Sequence, residues 1–65
     1  MLDIKEQFNY VNEVVMQKNT VALVILNNGT YLILQWNELY NKWNKVANLG
    51  KNPIHISKVY HEWGL

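Results

Sequence analysis

Cysteine and arginine are both missing from this 65-residue chain, and serine occurs once. Without cysteine there are neither disulfides nor thiolate metal sites. Glycine and proline are scarce, and each has a local duty. Gly29 suits a turn, Gly50 and Gly64 suit helix ends, and Pro53 suits a helix start. None is left for a phosphate-cradling loop, which needs several glycines close together. Charge is sparse as well: six lysines against five acids give a formal charge of +1. A protein imitating nucleic acid needs a strong negative excess. A strongly electrostatic DNA binder needs a positive one, because phosphate neutralisation supplies most non-specific affinity.

Long apolar runs are absent too. The first residues are charged and lack the apolar core of a secretory signal, and no run approaches the length that spans a bilayer. The expectation is a soluble, cytoplasmic protein with no membrane partner. Asparagine is abundant while lysine stands in for arginine, a usage that suits an AT-rich genome and a phage or prophage accessory gene. The chain is expected to form one domain over residues 1–65. A core of this size is marginal and usually needs a staple. With disulfides and thiolate sites removed, oligomerisation is the staple that remains.

What the chain does have is a hairpin. Two apolar runs, Val21–Leu26 and Tyr31–Gln35, flank Asn27-Asn28-Gly29-Thr30, and Asn-Gly between such runs is the strongest short-range hairpin pattern. With Asn28-Gly29 as a two-residue turn, Leu26 faces Tyr31 and Val24 faces Ile33. One face then carries Val21, Leu23, Ile25, Leu32, Leu34 and Trp36, and the other carries Ala22, Val24, Leu26, Tyr31, Ile33 and Gln35. Both faces are apolar, so the ribbon needs cover on two sides.

The flanking segments show helical spacing. Ile4, Phe8, Val11 and Val15 make one stripe behind a capping residue, Asp3, with Glu6 three residues on, which predicts a helix from Asp3 to Lys18. Asn37 is an N-cap for a second helix carrying Trp36, Leu39, Tyr40, Trp43, Val46 and Ala47 at helical intervals, closed by Gly50. Asn52-Pro53 opens a third, with Ile56, Val59, Tyr60 and Trp63 as its stripe. Residues 54–60 are also rich in β-formers, so a third strand is the alternative. The expected fold class is therefore a small α+β domain, helix – β-hairpin – helix – helix, or αββαβ.

Chemistry-bearing constellations are lacking. His55 and His61, the only histidines, fall on different faces of a helix and form no metal pair, so no metal or cofactor is expected. Ser57 has no histidine or carboxylate at a spacing that would activate it. The acids are scattered, and so short a chain hardly encloses a pocket of roughly 300 Å³. No enzyme is expected. Segment 42–61 resembles the helix-turn-helix of small phage Cro-type repressors: Leu49-Gly50 ends a first helix, while Ile56 and Val59 anchor a second. Val46 and Lys51 depart from that pattern. The resemblance implies that Asn52, His55, Ser57, Lys58 and His61 face the major groove, making a DNA-binding regulator the second reading. The first reading is a non-catalytic protein-binding module that forms a homodimer and modulates a host protein. Tyr31, Ile33, Gln35 and Trp63 are its candidate contacts, since Trp and Tyr dominate interface hot spots.

Overall fold

An apolar two-stranded ribbon has unpaired backbone along each outer edge, and in this protein the chain itself pairs both edges. The computed structural model describes residues 2–52 with Ser57, Lys58, His61 and Glu62. A one-turn helix, α1 (Ile4–Gln7), leads into four strands: β1 (Val11–Lys18), β2 (Val21–Leu26), β3 (Tyr31–Asn37) and β4 (Lys42–Gly50). They form one antiparallel meander in the order β1-β2-β3-β4. The expected helix – hairpin – helix – helix arrangement is thus overturned: residues 11–18 and 42–50 are strands. The αββαβ alternative fails with it, because the extra strands come from these two segments.

The helix signals are real but local. Asp3 does cap, its carboxylate accepting from the Lys5 N–H at 2.9 Å. The helix ends after one turn, with Phe8 already extended. An isolated helix this short is not self-sustaining, and β-branched Val11 and Val14 favour pairing against the apolar edge of β2.

The central turn also corrects the expected register. Ile25 faces Tyr31, Val24 faces Leu32 and Ala22 faces Leu34, one residue displaced from a two-residue turn. The loop is three residues, Asn27-Asn28-Gly29, with the Gly29 N–H bonded to the Leu26 carbonyl at 2.9 Å and the Leu26 N–H bonded to the Thr30 carbonyl at 2.8 Å. Gly29 takes φ +88°, the left-handed residue that follows a type I turn in three-residue hairpins. A one-residue slip exchanges faces. Accordingly Ala22 and Val24 join Leu32 and Leu34 on one side, whereas Leu23 joins Ile33 on the other.

Both sides are buried. On the first, Ile4, Val11, Ala22, Val24, Leu32, Leu34 and Trp43 form the main core, with Phe8, Val14, Leu26 and Trp36 against it. Trp36 and Trp43 are direct cross-strand partners, their rings edge-to-face at 5.6 Å, a favoured aromatic geometry. The second core is smaller: Leu23, Ile33 and Leu49, flanked by Val21, Tyr31 and Ala47. Leu23 and Ile33 are 1% and 0% exposed within a single chain. The ribbon does need two-sided cover, as its composition demands, but burial of the second face calls for no second copy.

Helix α1 lies against the main-core side and links the sheet's two outer strands. Ile4 and Phe8 pack into that core. The Gln7 side chain reaches β4, donating to the Trp43 carbonyl at 2.8 Å and accepting from the Trp43 N–H at 2.7 Å. The Trp43 indole N–H donates to the Leu2 carbonyl at 2.8 Å. A side-chain amide has the same donor and acceptor as a peptide group, so Gln7 pairs with Trp43 as a neighbouring strand would.

Candidate functional site

Among the described residues the most exposed large apolar side chains sit at the β3–β4 turn. Leu39 is 81% exposed and Tyr40 67%, on the connection Glu38-Leu39-Tyr40-Asn41 between the paired residues Asn37 and Lys42. The turn is held by its own residues. The Asn37 side-chain oxygen accepts from the Tyr40 N–H at 3.2 Å, and Asn41 takes φ +52°, a left-handed conformation that asparagine tolerates better than most residues. Lys42 Nζ lies over the Tyr40 ring, 5.9 Å from its centroid, within the range of a cation–π contact. Below the turn the Trp36–Trp43 pair anchors both strands. The result is a two-residue apolar knob on a braced stalk.

Helical spacing places Leu39 and Tyr40 on one stripe with Trp36 and Trp43. The structure separates them, Trp43 in the core and Leu39 and Tyr40 at the tip. A pattern available in the sequence would have found the tip: two tryptophans seven residues apart, enclosing Asn37 and Asn41. Such a spacing fits a hairpin with an aromatic cross-strand pair as well as two helical turns.

The expected contact residues are not brought together on an open surface. Tyr31, Ile33 and Gln35 share a strand face, but Ile33 is fully buried, Tyr31 half-buried and only Gln35 exposed. Ile33 is therefore core and not contact. Trp63 lies outside the described residues. The helix-turn-helix reading loses its first helix, since Lys42–Gly50 is strand β4. Ser57, Lys58 and His61 are helical and exposed, Asn52 is exposed just beyond β4, and His55 lies outside the described residues. With no helix ahead of them, these residues form no two-helix reading head, and the groove-facing assignment falls.

Other features are less pointed. Leu2, Asp3, Ile4, Val14 and Gln17 line an open cleft of about 350 Å³ beside the N-terminal turn, but its one carboxylate is occupied in capping α1. Among the described residues no three His, Cys, Asp or Glu side chains converge as metal ligands. Nor is any helix among them long and apolar enough to cross a membrane.

The outer edges of the sheet are obstructed. β1 carries two bulges, leaving Asn12 and Val15 without partners in the register, and β4 carries two more, at Val46 and Leu49. Bulges twist an edge out of line and discourage pairing with another strand. The Trp43 backbone on the outside of β4 is already engaged by Gln7. The homodimer expectation relied on free hairpin edges, and both of those edges are paired within the chain. No family model, curated protein or solved structure matches this chain.

Proposed function

We propose that the chain is a non-catalytic protein-binding module whose β3–β4 turn inserts Leu39 and Tyr40 into an apolar hollow on a partner protein. The observation that carries this reading is the exposure of both side chains on a turn fixed by Asn37 and Asn41. Exposed apolar groups scattered singly need no explanation, but two adjacent ones on a braced projection form an anchor. Burying such a side chain is worth about 1.5–3 kcal/mol, and tyrosine is among the residues that dominate interfaces. Bracing matters because a turn already ordered loses little entropy on docking. Lys42 and Glu38 flank the knob and supply the polar rim of such a contact. The protein would modulate its partner by occupying that hollow.

The test is affinity capture from the native host's lysate with wild-type protein, Leu39→Asp and Tyr40→Ala side by side. A protein retained by the wild type and lost from both variants is expected, with far-UV circular dichroism and melting unchanged. Equal retention by all three would refute the reading.

A further inference from the structure

We propose that Asn28 is a site of self-modification, at which the backbone nitrogen of Gly29 closes onto the Asn28 side chain. Of the ten asparagines, only Asn28 precedes a glycine, so only there is the following nitrogen free of a neighbouring side chain. Two further groups favour the reaction. The Thr30 N–H donates to Asn28 Oδ1 at 3.0 Å, the oxygen on which negative charge develops when Cγ is attacked. A fixed donor at that position stabilises the tetrahedral intermediate in the way of an oxyanion hole. The Lys51 side chain runs past Gly29, its Cε 3.7 Å from where a Cβ would stand. The ammonium bonded to that carbon, more than 4 Å from the same point, favours both the deprotonated amide nitrogen and the oxyanion. Opposing them is one bond, from the Gly29 N–H to the Leu26 carbonyl, which must open to release the nucleophile. Asn27 and Asn28 are both exposed, so water and base reach the loop.

The chemistry balances without a cofactor. The Gly29 nitrogen loses its proton to solvent and bonds to Asn28 Cγ; the side-chain Nδ2 takes a proton from solvent, the Cγ–Nδ2 bond breaks, and ammonia leaves. Water then opens the resulting succinimide at either carbonyl. An aspartyl product keeps an acceptor for the Thr30 N–H and places a negative charge beside Lys51. An isoaspartyl product adds a methylene to the main chain inside a three-residue loop, which destroys the pairing of Leu26 with Thr30. The hairpin thus holds a one-way chemical change that either tightens the turn or ends its register.

The experiment is timed incubation of the folded protein at mildly alkaline pH, followed by peptide mass mapping. Wild type, Lys51→Gln and Gly29→Ala are compared, each also in strong urea. Conversion confined to position 28 is expected, strongly slowed in Gly29→Ala even in urea. A unit charge about 5 Å away in water-like surroundings changes the rate by about four-fold. Lys51→Gln should therefore slow conversion in the folded state by that factor and leave the urea rate unchanged. Conversion in urea but none in the folded wild type would overturn the proposal, because the turn would then protect Asn28. An unaltered folded-state rate in Lys51→Gln would overturn the role of the lysine.

Discussion

Removing the Gln7 amide isolates the interaction that ties α1 to the far edge of the sheet. In Gln7→Ala, the Trp43 N–H and carbonyl both lose a partner at 2.7 and 2.8 Å. The site is partly buried, so each bond is taken at its ordinary net value of about 0.5–1.5 kcal/mol. Two of them make the expected loss about 2 kcal/mol. A chain of this length has about 3–10 kcal/mol of total stability at the usual density per residue, so the variant folds but is visibly weakened. With a urea dependence near 1 kcal/mol per molar for so small a protein, the midpoint falls by about 2 M, read by tryptophan fluorescence and far-UV circular dichroism together. Gln7→Glu separates amide pairing from packing. Its carboxylate still accepts from the Trp43 N–H but sets lone pairs against the Trp43 carbonyl. Protonation restores the donor, so the folded-state pKa of the new glutamate is raised above its unfolded value of about 4.3. The stabilising contribution is then fully present below about pH 4 and lost as pH rises through that raised pKa. The deficit relative to wild type should be small at pH 4 and large at pH 7. A Gln7→Ala loss under about 0.5 kcal/mol, or a Gln7→Glu deficit independent of pH, would refute the pairing.

Other outcomes test the remaining parts of the structure. Trp43→Ala removes the largest fully buried side chain; a loss of about 3–5 kcal/mol should leave little cooperative unfolding in a thermal melt. Trp36→Ala, at a half-buried position, should cost less and abolish the near-ultraviolet dichroism of the indole pair. Gly29→Ala forces a side chain into φ +88° and should cost about 1–2 kcal/mol, seen as a lower urea midpoint. Ile33→Ala should destabilise by about 2–5 kcal/mol whatever the protein concentration, since Ile33 is buried within one chain. A wild-type melting temperature that rises with protein concentration would instead show the second face covered by another copy.

Much of the local structure was legible. Asp3 caps a helix, Gly29 and Gly50 take positive φ, and Trp43 is core, all as their residue types require. The Asn37 bond to the Tyr40 N–H spans the same interval as an N-cap bond, yet it closes a turn. Cap chemistry identifies where a chain bends and where a donor needs a partner; it does not say whether a helix follows. The elements between these points are not legible because bulges alter the period of a strand. Skipping Asn12 and Val15 puts Val11, Val14 and Gln17 opposite Leu26, Val24 and Ala22, a step of three. Preceded by Ile4 and Phe8 on a genuine helical turn, that step continues a helical stripe without a break. In β4, Trp43 lies seven residues from Trp36, which is two helical turns or one hairpin partner.

What decided between the alternatives is the ribbon at the centre. β2 and β3 are apolar on successive residues, so helices on their faces alone would leave two edges of unpaired backbone beside greasy side chains. Turning residues 11–18 and 42–50 into strands pairs both edges at once and broadens each core. The edge problem is thereby moved outward to β1 and β4, where it meets bulges, lysines and the Gln7 amide in place of apolar runs. Consequently both edges of the hairpin are paired within its own chain. Leu39 and Tyr40, standing beyond the last cross-strand pair, remain as apolar surface that neither core nor edge requires. Surface that folding does not account for is where a selected contact with another molecule is to be sought.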